Sequence, residues 1–245
     1  MTHAKPLPHP HAQPLLPHQG KVELLFLLFH GAGADASQMH GLAEALRAAY
    51  PQAAVVALDA PQPLDSEVVH GYQWFDEQEL GAVAGVAAAL PEFIATVRAW
   101  TEYFALEWPR VALAGFSQGG LMALEAVLAQ PQLAGRVLSF GTAPLHRPTQ
   151  APEGVCLHLL HGMLDESVPY RHVADAAQAW VSLGADVTAD ILPTTHHEMS
   201  AALIQKAMHQ LRTFIPARLW REAVVTAAEM ERADQAVLRG SGTRH

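Results

Sequence analysis

A single cysteine, Cys156, stands in a chain of 245 residues. That excludes an internal disulfide framework and any zinc module built from several cysteines, and it fits a reducing compartment. Positive charge is scarce as well, with 15 Lys+Arg against 24 Asp+Glu and a net charge of −9. Nucleic acids and anionic membrane surfaces are bound largely by neutralising phosphate, so neither is an expected partner of a chain without a Lys/Arg cluster. Charged residues make up only 16% of the sequence and apolar residues 50%, which is enough for a full core. The first twenty residues lack the continuous apolar stretch and the small-residue cleavage pattern of a secretory signal. These absences predict a compact cytoplasmic protein without integral membrane association.

Histidine, in contrast, is plentiful at 15 residues. Four of them (His3, His9, His11, His18) alternate with Pro6, Pro8, Pro10, Pro14 and Pro17 in the leader, residues 1–20. Proline removes the amide donor and restricts its predecessor, so the leader is expected to be disordered or polyproline-like, with no backbone ladder. A flexible tail loses conformational entropy when it closes a metal site, and no metal is expected there.

After Gly20 the pattern changes to short apolar runs at Val22–Phe29, Ala53–Leu58, Val111–Ala114, Arg136–Phe140, Val155–Leu160 and Asp186–Leu192. Between them lie segments with helical spacing: His40–Ala49, Glu92–Leu106, Leu121–Ala129, Val168–Leu183 and Ala201–Phe214. Buried strands alternating with helices predict an α/β fold, a mostly parallel central sheet with helices on both faces. No insertion has the character of a large cap domain; only the loops around Pro61–Leu80 and Pro144–Glu153 are placed to cover a site. One domain over residues 21–216 is expected, followed by a helical extension, residues 217–245, that packs on the domain or on a second subunit to make a homodimer and frays at its end.

Gly115-Phe116-Ser117-Gln118-Gly119 fits G-x-S-x-G. A chain of this composition gives roughly 0.04 such matches by chance. The flanks add weight, because the strand-like VALA precedes the motif and the helix-like LMALEAVLA follows it, as a nucleophile elbow requires. A serine hydroxyl needs a base, and the base needs an acid to orient it. Asp165 and its neighbour Glu166 both lie on the loop after Val155–Leu160, and local chemistry does not separate them. His196 and His197 both lie on the loop after Asp186–Leu192, and at most one can face the serine. Either pair completes the chain order Ser, Asp/Glu, His of an α/β-hydrolase. Oxyanion donors are sought at the amide of Gln118, next to the nucleophile, and at Ala32 in the His30-Gly31-Ala32-Gly33 turn. His30 precedes the serine, in the wrong order for the base, and is expected to bond neighbouring loop backbone. Cys156, inside a buried strand, is expected to be inert packing.

Taken together, HGAG, GFSQGG, HGMLDESVP and the late His-His pair resemble the carboxylesterase, lysophospholipase and acyl-protein thioesterase family of small serine hydrolases, and the branch of bacterial esterases with a C-terminal extension in particular. The resemblance runs from about Lys21 to the start of the terminal helix, and Gly71-Tyr72-Gln73-Trp74-Phe75-Asp76 resembles the family's W-F segment. The leader has no counterpart. The family's HG-x-x-D-x-x-V pattern falls on His161, Gly162, Asp165 and Val168, which selects Asp165 as the acid. Its G-H-x-I/M pattern falls on residues 196–199, which implies His197 as the base and sets His196 where glycine is usual. The resemblance implies hydrolysis of small or short-acyl esters through an acyl-Ser117 intermediate, with oxyanion donors at Ala32 and Gln118 and no cofactor. Trp74, Phe75, Phe116, Met163, Leu164 and Met199 flank the motifs and are candidate acyl-pocket walls. The rivals are lysophospholipase or acyl-protein thioesterase activity, and a non-catalytic binding protein on the same fold.

Overall fold

The structure is a computed structural model and describes residues 6–9, 12, 14–65 and 70–241. Leader residues His3 and His11, part of the loop at 66–69, and the last four residues, where fraying is expected, lie outside the described residues.

Six strands form one all-parallel sheet: β1 (Leu24–Phe29), β2 (Ala53–Leu58), β5 (Val111–Phe116), β6 (Arg136–Phe140), β7 (Cys156–Gly162) and β8 (Asp186–Leu192), in the order β2-β1-β5-β6-β7-β8. Side chains alternate faces, and an apolar residue is needed on both, which explains the unbroken runs in β1, β2 and β5. On one face, Leu25, Leu27, Phe29, Leu113 and Leu157 join a core with α2 (Glu77–Tyr103), α3 (Gln118–Ala129) and α4 (Tyr170–Ser182). On the other, Phe26, Leu28, Ala114, Leu138 and Leu160 pack with α1 (His40–Ala49) and α5 (Ala201–Thr213). Trp100 of α2 and Trp180 of α4 are fully buried, and burying a large apolar side chain contributes roughly 1.5–3 kcal/mol.

Two features depart from the sequence reading. Residues Gln62–Asp65 (β3) and His70–Gln73 (β4) form an antiparallel hairpin in what reads as a loop. Four-residue strands with Pro63 and Gly71 carry too little periodicity to be seen. The second helix begins at Glu77, is broken at Gly81 (φ 72°, ψ 158°) and runs through Pro91 instead of starting after it; Ala87, whose carbonyl loses its donor to that proline, is exposed, where an unpaired carbonyl costs least. By length and composition α2 could cross a membrane, but Val86, Phe93, Val97 and Trp100 on one side of it belong to the core.

The leader also departs from a ladder-free segment. Leu15 and Val55 exchange backbone hydrogen bonds of 2.8 and 3.0 Å as an antiparallel bridge. Ala12 is buried and Leu7 packs on the same core as α2, so the apolar residues between the prolines supply the anchoring that the prolines cannot.

The chain divides into two compact units, residues 1–212 and 213–245. The second consists mainly of α6 (Ala217–Ser241), which follows Pro216 and exposes Leu219, Trp220, Val224, Val225 and Met230.

Candidate active site

In a parallel sheet every strand ends at the same edge, so the turns after β1, β5, β7 and β8 converge there. Ser117 occupies the turn between β5 and α3 with φ 50° and ψ −118°, one of two non-glycine residues with positive φ among the described residues. Such a conformation stores about 1–3 kcal/mol and lifts the side chain clear of the helix it begins. The glycines make the turn feasible. A Cβ on Gly115 would run into the Gly119 backbone, and one on Gly119 into the carbonyls of Phe29 and His30.

Ser117 Oγ lies 3.0 Å from His197 Nε2, and His197 Nδ1 lies 2.7 Å from Asp165 Oδ2. With Nδ1–H donating to the carboxylate, Nε2 is left to accept the serine proton. The other oxygen, Asp165 Oδ1, accepts from the amides of Ser167 (2.9 Å) and Val168 (2.8 Å), so the buried carboxylate is satisfied. His161 donates from Nε2 to the Val168 carbonyl at 2.8 Å and sits 3.5 Å from Asp165 Oδ2. Burial holds the His161 imidazole below its ordinary pKa and keeps it neutral. The loops of acid and base are tied by Leu164 N–H donating to Thr195 O at 3.0 Å. His196 is exposed and has ordinary negative φ, so its side chain is accommodated where glycine is usual. Glu166 is exposed as well, and the structure brings Asp165 and His197 to the serine.

The turn after β1 supplies the other wall. The main-chain N–H groups of Ala32 and Gln118 have no acceptor among the described residues, and Gly31 packs against Phe116 and Ser117 Cβ. Two free donors beside a serine suit an oxygen that gains negative charge. This turn is held from outside: Gln38 Oε1 accepts from Gly31 N, Asp59 Oδ1 from Ala36 N, and Tyr72 O from Gly33 N. His30 is fully buried, donates from Nδ1 to Gly31 O and accepts at Nε2 from Ala60 N. Burial pushes its pKa down, which this pair of bonds also requires, since a protonated ring could not accept from Ala60. None of Gln38, Asp59, Ala60 or Tyr72 is visible as a site residue in the sequence: the first three lie in segments with no motif, and Tyr72, inside the W-F segment, acts through its backbone, which its side chain does not reveal.

The match to a family model for phospholipase/carboxylesterase spans residues 15–215. The chain belongs to the phospholipase/carboxylesterase family. It is 36% identical over 203 residues to Esterase YpfH of Escherichia coli (strain K12), covering 82% of this chain and 87% of that protein. Among solved structures, esterase PE8 superposes with a TM-score of 0.74 at 26% identity, over 83% of this chain and 98% of its own. Acyl-protein thioesterase 2 of Zea mays shares the fold, with a TM-score of 0.64 at 19% identity over 82% and 97% of the two chains. The parallel sheet and its nucleophile turn are the α/β-hydrolase fold that these esterases share.

In this family member, the six apolar residues flanking the motifs fall into three groups. Trp74 and Phe75 are core, with Trp74 edge-on to Phe29 and Phe93. They line a cavity of about 150 Å³ with Leu58, Phe93 and Met122, whose lining does not include Ser117. Phe116 packs against His197, its ring centroid 4.7 Å from that of the imidazole, and the partly buried Met199 packs on the same cluster. Met163 and Leu164 are 41% and 45% exposed on the acid loop. Among the described residues no group of His, Cys, Asp and Glu is arranged to hold a metal ion.

Proposed function

We propose that this esterase hydrolyses small or short-acyl carboxylic esters through an acyl-Ser117 intermediate. The observation that carries the reading is the unbroken relay from Ser117 Oγ to His197 (3.0 Å) to Asp165 (2.7 Å), built on a strained serine. His197 takes the serine proton as Oγ attacks the ester carbonyl, and the carbonyl oxygen becomes an oxyanion facing the amides of Ala32 and Gln118. Collapse of this intermediate expels the alcohol, which receives the proton from His197. Water, deprotonated by the same imidazole, then attacks the acyl-enzyme and releases the acid, restoring Ser117. Asp165 holds the ring in the Nδ1–H tautomer and stabilises its charged form. Exposed Met163 and Leu164 and the lack of a large cap support an open site over a deep lipid tunnel. The single cysteine of the chain, Cys156, is buried in β7, and a sequence so poor in cysteine supports a reducing compartment, the cytoplasm.

A fluorophosphonate probe tests the nucleophile: wild type labels and Ser117→Ala does not. Equal labelling of both proteins sinks the reading. His197→Ala is expected to lower kcat by about four orders of magnitude and His196→Ala by less than about threefold. Turnover of p-nitrophenyl acetate, lysophospholipid and palmitoyl thioester then separates the substrate classes, and a preference for the long acyl chains overturns the short-ester assignment.

A further inference from the structure

The Gln118 side chain takes no part in the relay, yet it is almost fully buried beside it. A buried primary amide must be satisfied at both ends. Its Oε1 accepts from Trp74 N at 2.7 Å and its Nε2 donates to Phe75 O at 3.0 Å. The two backbone groups fix the orientation of the amide, since the N–H can only meet the oxygen and the carbonyl only the NH₂. Trp74 and Phe75 lie between the end of β4 and the start of α2, where the backbone has no strand or helix partner. The amide stands in for one, from more than forty residues away.

The chain of bonds continues. Trp74 Nε1–H donates to His30 O at 2.9 Å, and His30 Nδ1–H donates to Gly31 O at 2.7 Å, one residue before Ala32. On the other side Gly119 packs its backbone on the carbonyls of Phe29 and His30, so the start of α3 and the end of β1 meet without slack. The distance between the two free amides therefore depends on a bridge that starts at one of the two residues carrying them.

We propose that the Gln118 side chain is a positioning residue, clamping the Trp74–Phe75 backbone and, through the Trp74 indole, the β1 turn so that the Ala32 and Gln118 amides face one oxygen. This rests on the acyl-Ser117 reading and adds a second role to Gln118, because a change such as Gln118→Met keeps the main-chain N–H and removes only the clamp. Misplacing a donor by about 1 Å is worth up to about 100-fold in rate.

The test uses two variants of the full chain, with turnover expressed per fluorophosphonate-labelled serine so that misfolded protein does not count. Gln118→Met fills the space with neither polar group and is expected to lower kcat per labelled serine about 10–100-fold at every pH, with a smaller change in KM. Gln118→Glu can still accept from Trp74 N, but as a carboxylate it presents lone pairs to Phe75 O; protonation restores a donor. Its kcat, taken as a ratio to wild type, is expected to climb as pH falls. A flat ratio for Gln118→Glu, or wild-type kcat per labelled serine in Gln118→Met with only a lower Tm, overturns the clamp and leaves the Ser117 reading intact. Should Gln118→Met fail to fold, the Gln118→Glu ratio decides alone, being measured within one protein across pH. Turnover that survives in Ser117→Ala is a failure of the underlying reading and is seen separately.

Discussion

The acid loop after β7 and the oxyanion turn after β1 leave the same edge of the sheet and are held in opposite ways. The side chains that set the Asp165 carboxylate are bonded within their own loop: Asp165 accepts from Ser167 and Val168, and His161 bonds the Val168 carbonyl, all within an eight-residue stretch, while backbone bonds from Met163 and Leu164 to Leu192 and Thr195 tie the loop to its neighbour. The oxyanion turn makes few bonds of its own and hangs from Gln38, Ala60, Tyr72, Trp74 and, through Trp74, Gln118. Mostly local bonds orient one carboxylate toward one imidazole. In the proposed mechanism, setting two amides around an oxyanion that forms only during the reaction takes supports from several directions.

A carboxylate set chiefly by its own loop should fail steeply when its one key atom changes. Asp165→Asn keeps an oxygen for the Ser167 and Val168 amides and sets its NH₂ against His197 Nδ1, which disfavours the working tautomer. A fall in kcat of about 10⁴ with little change in Tm is expected from steady-state kinetics and melting. A loss under tenfold would remove Asp165 from the relay.

Each region also contains a buried neutral histidine, His161 in the acid loop and His30 in the oxyanion turn, and both are held below the ordinary pKa of 6.5 mainly by burial. His158 in β7, beside Thr188 and near Arg136, is pushed down to about 3. The unfolded chain binds protons at these rings near pH 6.5 and the folded chain does not. Stability is therefore full above about pH 6.5 and declines as pH falls below it, by up to about 1.4 kcal/mol per pH unit for each ring. Urea midpoints between pH 7 and pH 5 should show this slope, and His158→Gln should flatten it by one ring's share. An unchanged slope would mean that the ring is not buried neutral.

The smallest effect is expected where one support among several is cut. Trp74→Phe removes the indole donor to His30 O and leaves the ring packed on Phe29 and Phe93. About a tenfold loss in kcat is expected, a modest fraction of the Asp165→Asn loss. A loss as large as that of Asp165→Asn would show that the oxyanion turn depends on a single tie and would end the contrast.

The same contrast explains what could be read from sequence. Five of the six sheet strands were visible as apolar runs within about two residues of their ends, and Asp186–Leu192 as a strand despite its polar residues, because burial on both faces writes a continuous signature. Ser117, Asp165 and His197 lie on motifs contiguous in the chain, and the resemblance chose between adjacent candidates that the residues alone left open. The supports of the oxyanion turn were not legible. Gln38 and Asp59 act through single hydrogen bonds spanning 7 and 23 residues, and no periodicity or motif marks such a partner; Tyr72 acts through a backbone bridge that the W-F segment around it does not announce. Pro91 reads as a helix boundary, yet a proline is tolerated inside a helix where it and the residue four before it are exposed.

The bridge between Leu15 and Val55 has a consequence for how the molecule behaves among its own copies. Strand β2 reads AAVVAL and forms one border of the sheet, the kind of uncharged rim to which a strand of a neighbouring chain can be added. The leader's prolines cannot extend a ladder, so the leader closes this rim at its centre with one pair of bonds and offers no new template beyond itself. What reads as a structureless prefix thereby occupies, at Leu15, part of the rim to which another strand would be added.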